Sequence, residues 1–407
     1  MRTVHWTWVG EEVKPPGRNE IVRIGKRNVI NNFCIHVGPN MARCTSCHAG
    51  YGWEDEKFDF TREENVDCLV CHEQTGTYQK GLAGEAEKGV DLVAAARSVA
   101  RPTRGNCGQC HFKGGGGDAV KHGDLDSSME FPSVRIDVHM GRYDFQCVDC
   151  HRTQEHRVPG CAISVSIGRL PRVACTDCHR DTPHRDARLD AHTRTVACQT
   201  CHIPKMAIDQ PTKIYWDWSQ AGQDRPEDPH HYLKIKGSFQ YAQDIRPEYY
   251  WFNGRGRRYL TGEKIAPSRT VEINSPLGGP GDPQAKIWPF KVHRGKQIYD
   301  ARYLYLLTPK TWGPGGYWTD FNWDRACRLG SQVTGLPYSG RYGFVETAMY
   351  WPLSHMVQPK EKALQCTDCH GPRGILDWQA LGYEGDPAFH GGQHETKSLR
   401  AAQGSGR

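Results

Sequence analysis

The run RCTSCHAGYGW, residues 43–53, sets two cysteines three positions apart and places a histidine directly after the second. A Cys-x-x-Cys pair alone serves half a zinc site, a redox dithiol or a covalent haem anchor, and the adjacent histidine separates these readings. In a c-type attachment the two thiols add across porphyrin vinyl groups, and the short turn between them swings the next imidazole under the ring to ligate iron. The pattern occurs seven times: Cys44-Cys47-His48, Cys68-Cys71-His72, Cys107-Cys110-His111, Cys147-Cys150-His151, Cys175-Cys178-His179, Cys198-Cys201-His202 and Cys366-Cys369-His370. These take fourteen of the seventeen cysteines. A zinc ribbon pairs two knuckles per metal and has no use for a histidine after each one. The chain therefore reads as a carrier of seven haem c groups, with the cysteines as anchors and the seven following histidines as iron ligands.

Composition agrees with that reading. Of 407 residues only 37% are hydrophobic, and mean hydropathy is −0.69. Porphyrins supply the apolar material that so polar a chain lacks, and protein wraps them as a thin shell. The fold class expected is mainly α with extensive irregular loops, a multihaem cytochrome c fold around a haem cluster. The formal charge of +6 is offset by two propionates on each haem, giving roughly −1 oxidised and roughly −8 reduced. With no polybasic block besides, nucleic acid is excluded as a partner. No stretch matches a membrane span; even VDLVAAARSVA (90–100) carries Asp91 and Arg97. Haem is attached to c-type cytochromes outside the cytoplasm, yet MRTVHWTWVGEEVKPPG (1–17) has no apolar h-region and no small-residue cleavage site. A signal segment is expected upstream, and the protein is expected in the periplasm or another extracytoplasmic space.

The motifs start at 44, 68, 107, 147, 175, 198 and 366, which divides the chain. Residues 1–29 form an N-terminal segment that continues a missing upstream haem region, and 30–202 form a haem-rich core with six motifs. Residues 203–371 form an aromatic-rich lobe ending in the seventh, and 384–407 a flexible tail. Eight of the twelve tryptophans fall within 203–365, where they are expected to cover haem faces and the substrate side. One helix is expected at about 90–100, stopped by Pro102. Gly114 to Gly117 are followed by no Lys-Ser or Lys-Thr step, so they read as backbone passing close to a porphyrin rather than as a phosphate loop.

Thirteen further histidines are available. His122, His139, His156, His184, His192, His293 and His355 are the sixth-ligand candidates, each with a surface or core role as an equal alternative. Of the remaining cysteines, Cys34, Cys161 and Cys327, two pairing and one left over is one arrangement in an oxidising compartment. Cys34 precedes Cys44 by ten residues; it either faces that haem and a sulfur substrate or is a buried inert thiol. An electron conduit needs every iron closed, whereas a reductase needs one exchangeable position, and residue chemistry alone leaves both open.

The runs NNFCIHVGPNMARCTSCHAGYGWEDEKFDF (31–60), VDCLVCHEQTGTYQKG (66–81), CGQCHFKGGGGDAVKHGDLDSS (107–128), HTRTVACQTCHIPKMAIDQPTKIYWDWSQAG (192–222), EYYWFNGRGRRYLTGEKI (248–265) and YGFVETAMYWPLSHMV (342–357) add a resemblance. Together with DVHMG, RVACTDCHRDTPH and IWPFKVHRGKQ, the chain resembles the octahaem tetrathionate reductase family of multihaem cytochromes, in order from about residue 5 to 371. That family carries eight motifs, the first just ahead of a His-Trp-Thr-Trp segment, and this chain begins at MRTVHWTW (1–8). The resemblance implies that Met1 is internal, that a signal peptide and an eighth haem lie upstream, and that His5 is a stranded sixth ligand; a true seven-haem variant is the alternative. It also implies a lysine-ligated active haem. Lys80 in TGTYQKG matches by position and would act on the haem of Cys44 and Cys47; a solvated loop lysine is the other reading.

The expected catalytic set is Lys80, His48, Cys34 and His36, with Lys80 or His36 supplying protons and cations of the 203–365 lobe steering an anion. Reduction of tetrathionate, nitrite or hydroxylamine is the function implied, with a redox protein or membrane quinol-oxidising donor and a possible homo-oligomer. A non-enzymatic electron conduit is the alternative.

Overall fold

In the computed structural model, residues 3–10, 12–14, 21–27, 29–33, 35–160 and 172–390 are described. Cys34, Cys161 and most of the expected tail lie outside them.

From 35 to 160 and from 172 to 202 the chain is loops and short helices, as expected around cofactors. The motifs sit in single turns: Leu69–His72, Arg104–His111, Cys147–Cys150, Cys198–His202 and Cys366–Cys369 are α-helical, while Cys44–Cys47 and Cys175–Asp177 are 3-10 turns. Helices this short are not stable on their own, so local caps fix them. Where the motif reads Cys-x-Asp-Cys, the aspartate reaches back to the amide just before the first cysteine. Asp149 accepts from Gln146 at 2.7 Å, Asp177 from Ala174 at 2.9 Å and Asp368 from Gln365 at 2.7 Å. The expected helix near 90–100 is Leu92–Arg97, with the Asp91 side chain capping the amides of Val93 and Ala94.

Beyond residue 203 the expectation of a mainly α fold fails. An eight-stranded sheet occupies this part, with Lys286–Asp300 as its spine. That strand pairs antiparallel with Tyr342–Pro352 over its length, from Phe290 opposite Pro352 to Asp300 opposite Tyr342, and parallel with Thr212–Asp217. Gly237–Ala242 and Tyr232–Leu233 extend the sheet on one side, Val271–Glu272 on the other, and Glu248–Phe252 and Tyr305–Leu306 pair with the ends of the spine. The reason lies in composition: β-branched and aromatic residues fit a pleated, half-buried surface, so several of the tryptophans taken as haem cover build a core for the lobe, while Trp288, Trp318 and Trp351 line the cavity described below. Trp216, Trp218, Phe239, Ile298, Trp323 and Trp351 pack together between the sheet and helix Trp323–Thr334. That helix lies so close to the chain at Thr308 that a Cβ on Gly330 would stand 1.8 Å from the Thr308 carbonyl.

The sheet also positions the haem-side chain. Asn32, fully buried, donates from Nδ2 to the His293 carbonyl at 2.8 Å, and its Oδ1 accepts from Gln297 at 2.6 Å and from Thr347 at 2.8 Å. The 29–33 segment is thus pinned across both central strands, which leaves Asn31 and Phe33 on the wall of the cavity described below. Asn32→Leu removes three buried hydrogen bonds at once, leaving Gln297 only the Asn31 carbonyl and Thr347 only the Gly295 carbonyl, and each lost bond contributes about 0.5–1.5 kcal/mol. We expect a lower thermal midpoint in the haem-loaded protein with the haem-to-protein ratio unchanged; an unaltered midpoint would show that this network does not carry the segment.

Candidate functional site

All fourteen motif cysteines line one continuous cavity of about 4970 Å³, several times the roughly 300–1,000 Å³ of a single small-molecule site. His72, His111, His151, His179, His202 and His370 line it as well, and so do His5, His122, His139, His156, His184, His192 and His355.

These histidines meet in pairs across it. Ring centroids are 6.0 Å apart for His5 and His111, 6.2 Å for His72 and His156, 6.0 Å for His139 and His179, 6.3 Å for His151 and His355, 6.4 Å for His184 and His202, and 6.2 Å for His192 and His370. Two imidazoles on opposite sides of one metal, with metal–nitrogen bonds of about 2 Å, have ring centres roughly 6 Å apart. Each pair therefore fits the two axial places of one haem iron.

Second partners orient the rings. Nδ1 of His72 meets the Ala100 carbonyl at 2.9 Å, that of His151 the Pro159 carbonyl at 2.7 Å and that of His192 the Arg188 carbonyl at 2.8 Å. His184, His355 and His370 place Nδ1 against the carboxylates of Asp190, Asp124 and Asp386 at 3.1, 3.2 and 2.6 Å. Such acceptors keep the proton on Nδ1 and leave Nε2 as the lone-pair nitrogen a metal needs. Burial holds His5, His111, His151 and His202 below the usual imidazole range, toward the neutral, ligating form. For His355 burial also lowers the pKa, but the Asp124 carboxylate outweighs it and the net direction is upward.

The anchors form a connected series. The side chains of Cys47 and Cys110, of Cys107 and Cys147, and of Cys175 and Cys198 are adjacent, and Cys150 and Cys178, and Cys201 and Cys366, are near neighbours. Cys71 also lies near Cys107. The order is 44/47, 107/110, 147/150, 175/178, 198/201 and 366/369, with 68/71 as a branch.

The 44/47 end differs. His48, expected on iron, is absent from the cavity wall; it is fully buried, and its Nε2 bonds the Trp6 carbonyl at 2.6 Å. Lys80 lines the cavity instead. Its Nζ contacts the carbonyls of His48 at 2.5 Å and Gly50 at 2.9 Å and the buried Asp67 carboxylate at 2.8 Å. Tyr51 and Tyr78 donate to that carboxylate at 3.0 and 2.9 Å. The lysine is thus neither solvated nor loose.

Around the same anchors the cavity wall carries Lys26, Lys121 and Arg258. Lys121 stands 4.8 Å over the Trp351 ring, and burial, with nearby Lys26, lowers its pKa to about 7. Arg258 is 3% exposed. It donates from Nη2 to the Ile30 carbonyl at 2.5 Å, and its Nε and Nη1 have no partner among the described residues. Burial lowers its pKa to about 9. Arg258 belongs to the 203–365 lobe from which steering cations were expected, whereas Lys26 and Lys121 were missed: lysine and arginine carry no periodicity, and only folding brings 26, 121 and 258 together.

Other expected residues are placed elsewhere. His5 is not stranded but faces His111. His122 lines the cavity against Trp351 without facing a motif histidine. His293 is buried against Phe33, and both its ring nitrogens lack a partner among the described residues. His36 is off the cavity wall, buried, with Nδ1 accepting from the Gly38 amide at 2.9 Å. Cys327 is buried in the core beside the sheet, and burial pushes its thiol up.

A family model described as "Cytochrome c bacterial" matches residues 213–373. A curated relative, an uncharacterized protein of Archaeoglobus fulgidus, is 29% identical over an alignment covering 32% of this chain and 50% of the relative. The chain thus spans about half the length of that relative. Among solved structures, an octahaem cytochrome c from Shewanella oneidensis is similar with a TM-score of 0.91 and 48% identity, covering 96% of this chain and 91% of that one.

The pairing makes a direct prediction. His355→Ala leaves haem attachment intact but opens one axial place, so a high-spin ferric signal from one haem should appear in the electron paramagnetic resonance spectrum. No new high-spin signal would mean that His355 does not face the iron under His151.

Proposed function

This chain belongs to the octahaem cytochrome c family, and we propose that it is an exported reductase delivering electrons to a small anion at the haem of Cys44 and Cys47. The observation that carries the reading is the contrast between six sites closed by paired histidines and one site faced by Lys80 and three cations. The seven motifs would hold seven haems. When bound, they supply one-electron redox centres and, at the open iron, a Lewis-acidic place for the substrate.

The chain's own residues do the rest. The six histidine pairs keep their irons closed, which suits electron relay. Lys80 would be the residue to hold iron at the 44/47 end, and to do so it would exchange one of its three acceptors, the His48 and Gly50 carbonyls and the Asp67 carboxylate, for the metal. For its amine to serve a metal, one ammonium proton must leave, and the three acceptors around Nζ define where hydrogens point. Arg258 lies buried in the wall beside Lys121 with Nε and Nη1 unpartnered among the described residues, and it adds charge to the site together with Lys121 and Lys26. In a space of low dielectric such charges attract an anion far more strongly than they do in water. Lys121, with its pKa near 7, holds a proton that it can release near neutral pH.

Three cations favour a doubly charged anion over neutral hydroxylamine, which ranks tetrathionate first and nitrite second. Two electrons cleave the central S–S bond of tetrathionate to give two thiosulfates; nitrite or hydroxylamine is reduced to ammonium.

The experiment is oxidation of reduced viologen by the haem-loaded protein, offered each substrate in turn. Turnover, fastest with tetrathionate, is expected, and its absence with all three identifies a conduit. Arg258→Gln removes a charge-assisted contact worth about 1.5–3 kcal/mol, so KM for the anion should rise roughly ten- to a hundredfold, with Arg258→Lys in between. An unchanged KM would exclude the guanidinium from binding.

A further inference from the structure

A Cys-x-x-Cys-His turn carries its own histidine to iron by default, because the link between the anchors and the imidazole is short. At Cys44–Cys47 that imidazole is held back. Five aromatic rings surround it: Trp6 stacks on His48 at 4.8 Å, Trp53 stands edge-on at 4.9 Å and Phe58 at 5.4 Å, with Trp8 and Phe60 both at 5.9 Å. Nε2, the nitrogen that six other motif histidines have for a metal, is taken by the Trp6 carbonyl.

The rings brace one another. Trp53 stacks on Phe58 at 5.8 Å, Phe58 meets Phe60 at 4.8 Å, and Trp6 Nε1 donates to the Phe60 carbonyl at 2.9 Å. Cations close the outside, with Arg27 4.4 Å over Phe60 and Lys26 4.0 Å over Trp8. Gly50 leaves the room this needs, since a Cβ there would lie 2.2 Å from Trp6 and 2.8 Å from the His48 ring. The same short segment serves both partners: with the imidazole turned into the rings, the carbonyls of His48 and Gly50 face Lys80 Nζ.

Resting on the reading that Lys80 is the axial ligand, we propose that this aromatic cage selects the ligand of the Cys44–Cys47 haem, locking His48 out of the cavity and leaving the axial place to the lysine. Trp6 and Trp53 are positioning residues in this account; they touch the imidazole and not the substrate. Their effect is read in a spectrum rather than in folding alone.

The test uses the haem-loaded protein with cyanide bound at the open iron. The near-infrared charge-transfer band and the resonance signals of that adduct distinguish an amine from an imidazole opposite the cyanide. Wild type should show the amine signature. Lys80→Ala should lose it without gaining an imidazole signature, because the cage still holds His48. Adding Trp53→Ala to Lys80→Ala should release His48, and the imidazole signature should appear. If Lys80→Ala leaves the wild-type signature unchanged, lysine ligation fails, and with it that part of the proposed function. If His48 takes the iron in Lys80→Ala with the cage intact, or stays away in the double variant, the cage is not the selector. Should Trp53→Ala fail to accumulate, Phe58→Ala removes a half-buried wall of the same cage and is read in the same way.

Discussion

Everything in this protein depends on holding two imidazoles about 6 Å apart with their Nε2 atoms free, six times over. A covalent anchor fixes one histidine of each pair, because it directly follows the second cysteine in a short turn. The opposite histidine has no such tether, and the fold must deliver it. Carbonyls at Ala100, Pro159 and Arg188 and the carboxylates of Asp124, Asp190 and Asp386 fix rings on both sides of the pairs. Irregular loops suit this task better than long helices, since each ligand has to arrive from its own direction.

The sheet lobe is the rigid counterpart. It contributes His355, just after strand Tyr342–Pro352, and pins the 29–33 segment through Asn32. It also carries Arg258 to the wall near Cys44 and Cys47. One half of the chain thus wraps haems, while the other supplies a hydrophobic core that holds the 29–33 wall in place. The site lies where the two meet.

The anchors were legible because a covalent attachment writes a local pattern, five residues long, that needs no partner elsewhere. The pairs were legible only as a surplus of histidine. His151 meets His355 and His192 meets His370 through folding, and nothing local to either residue says so. His5 was read as stranded because the resembling family carries a motif just ahead of this segment, and nothing local to it points to His111, which the fold sets against it. The sheet was missed for a different reason: in a haem protein, a tryptophan beside a cofactor and a tryptophan in a protein core look alike in sequence. Likewise His48 satisfies the motif fully, and only the fold shows Trp6, Trp53 and Phe58 closing on it. Lys80 came from resemblance rather than from pattern, and the structure adds the acceptors that hold it.

The measurement that goes most directly to this account is an electron paramagnetic resonance count of the irons in the haem-loaded chain, before and after cyanide. Six low-spin bis-imidazole irons indifferent to cyanide and one distinct iron that binds it are the predicted result. Seven bis-imidazole irons, none of which binds cyanide, would contradict it and leave a closed electron conduit.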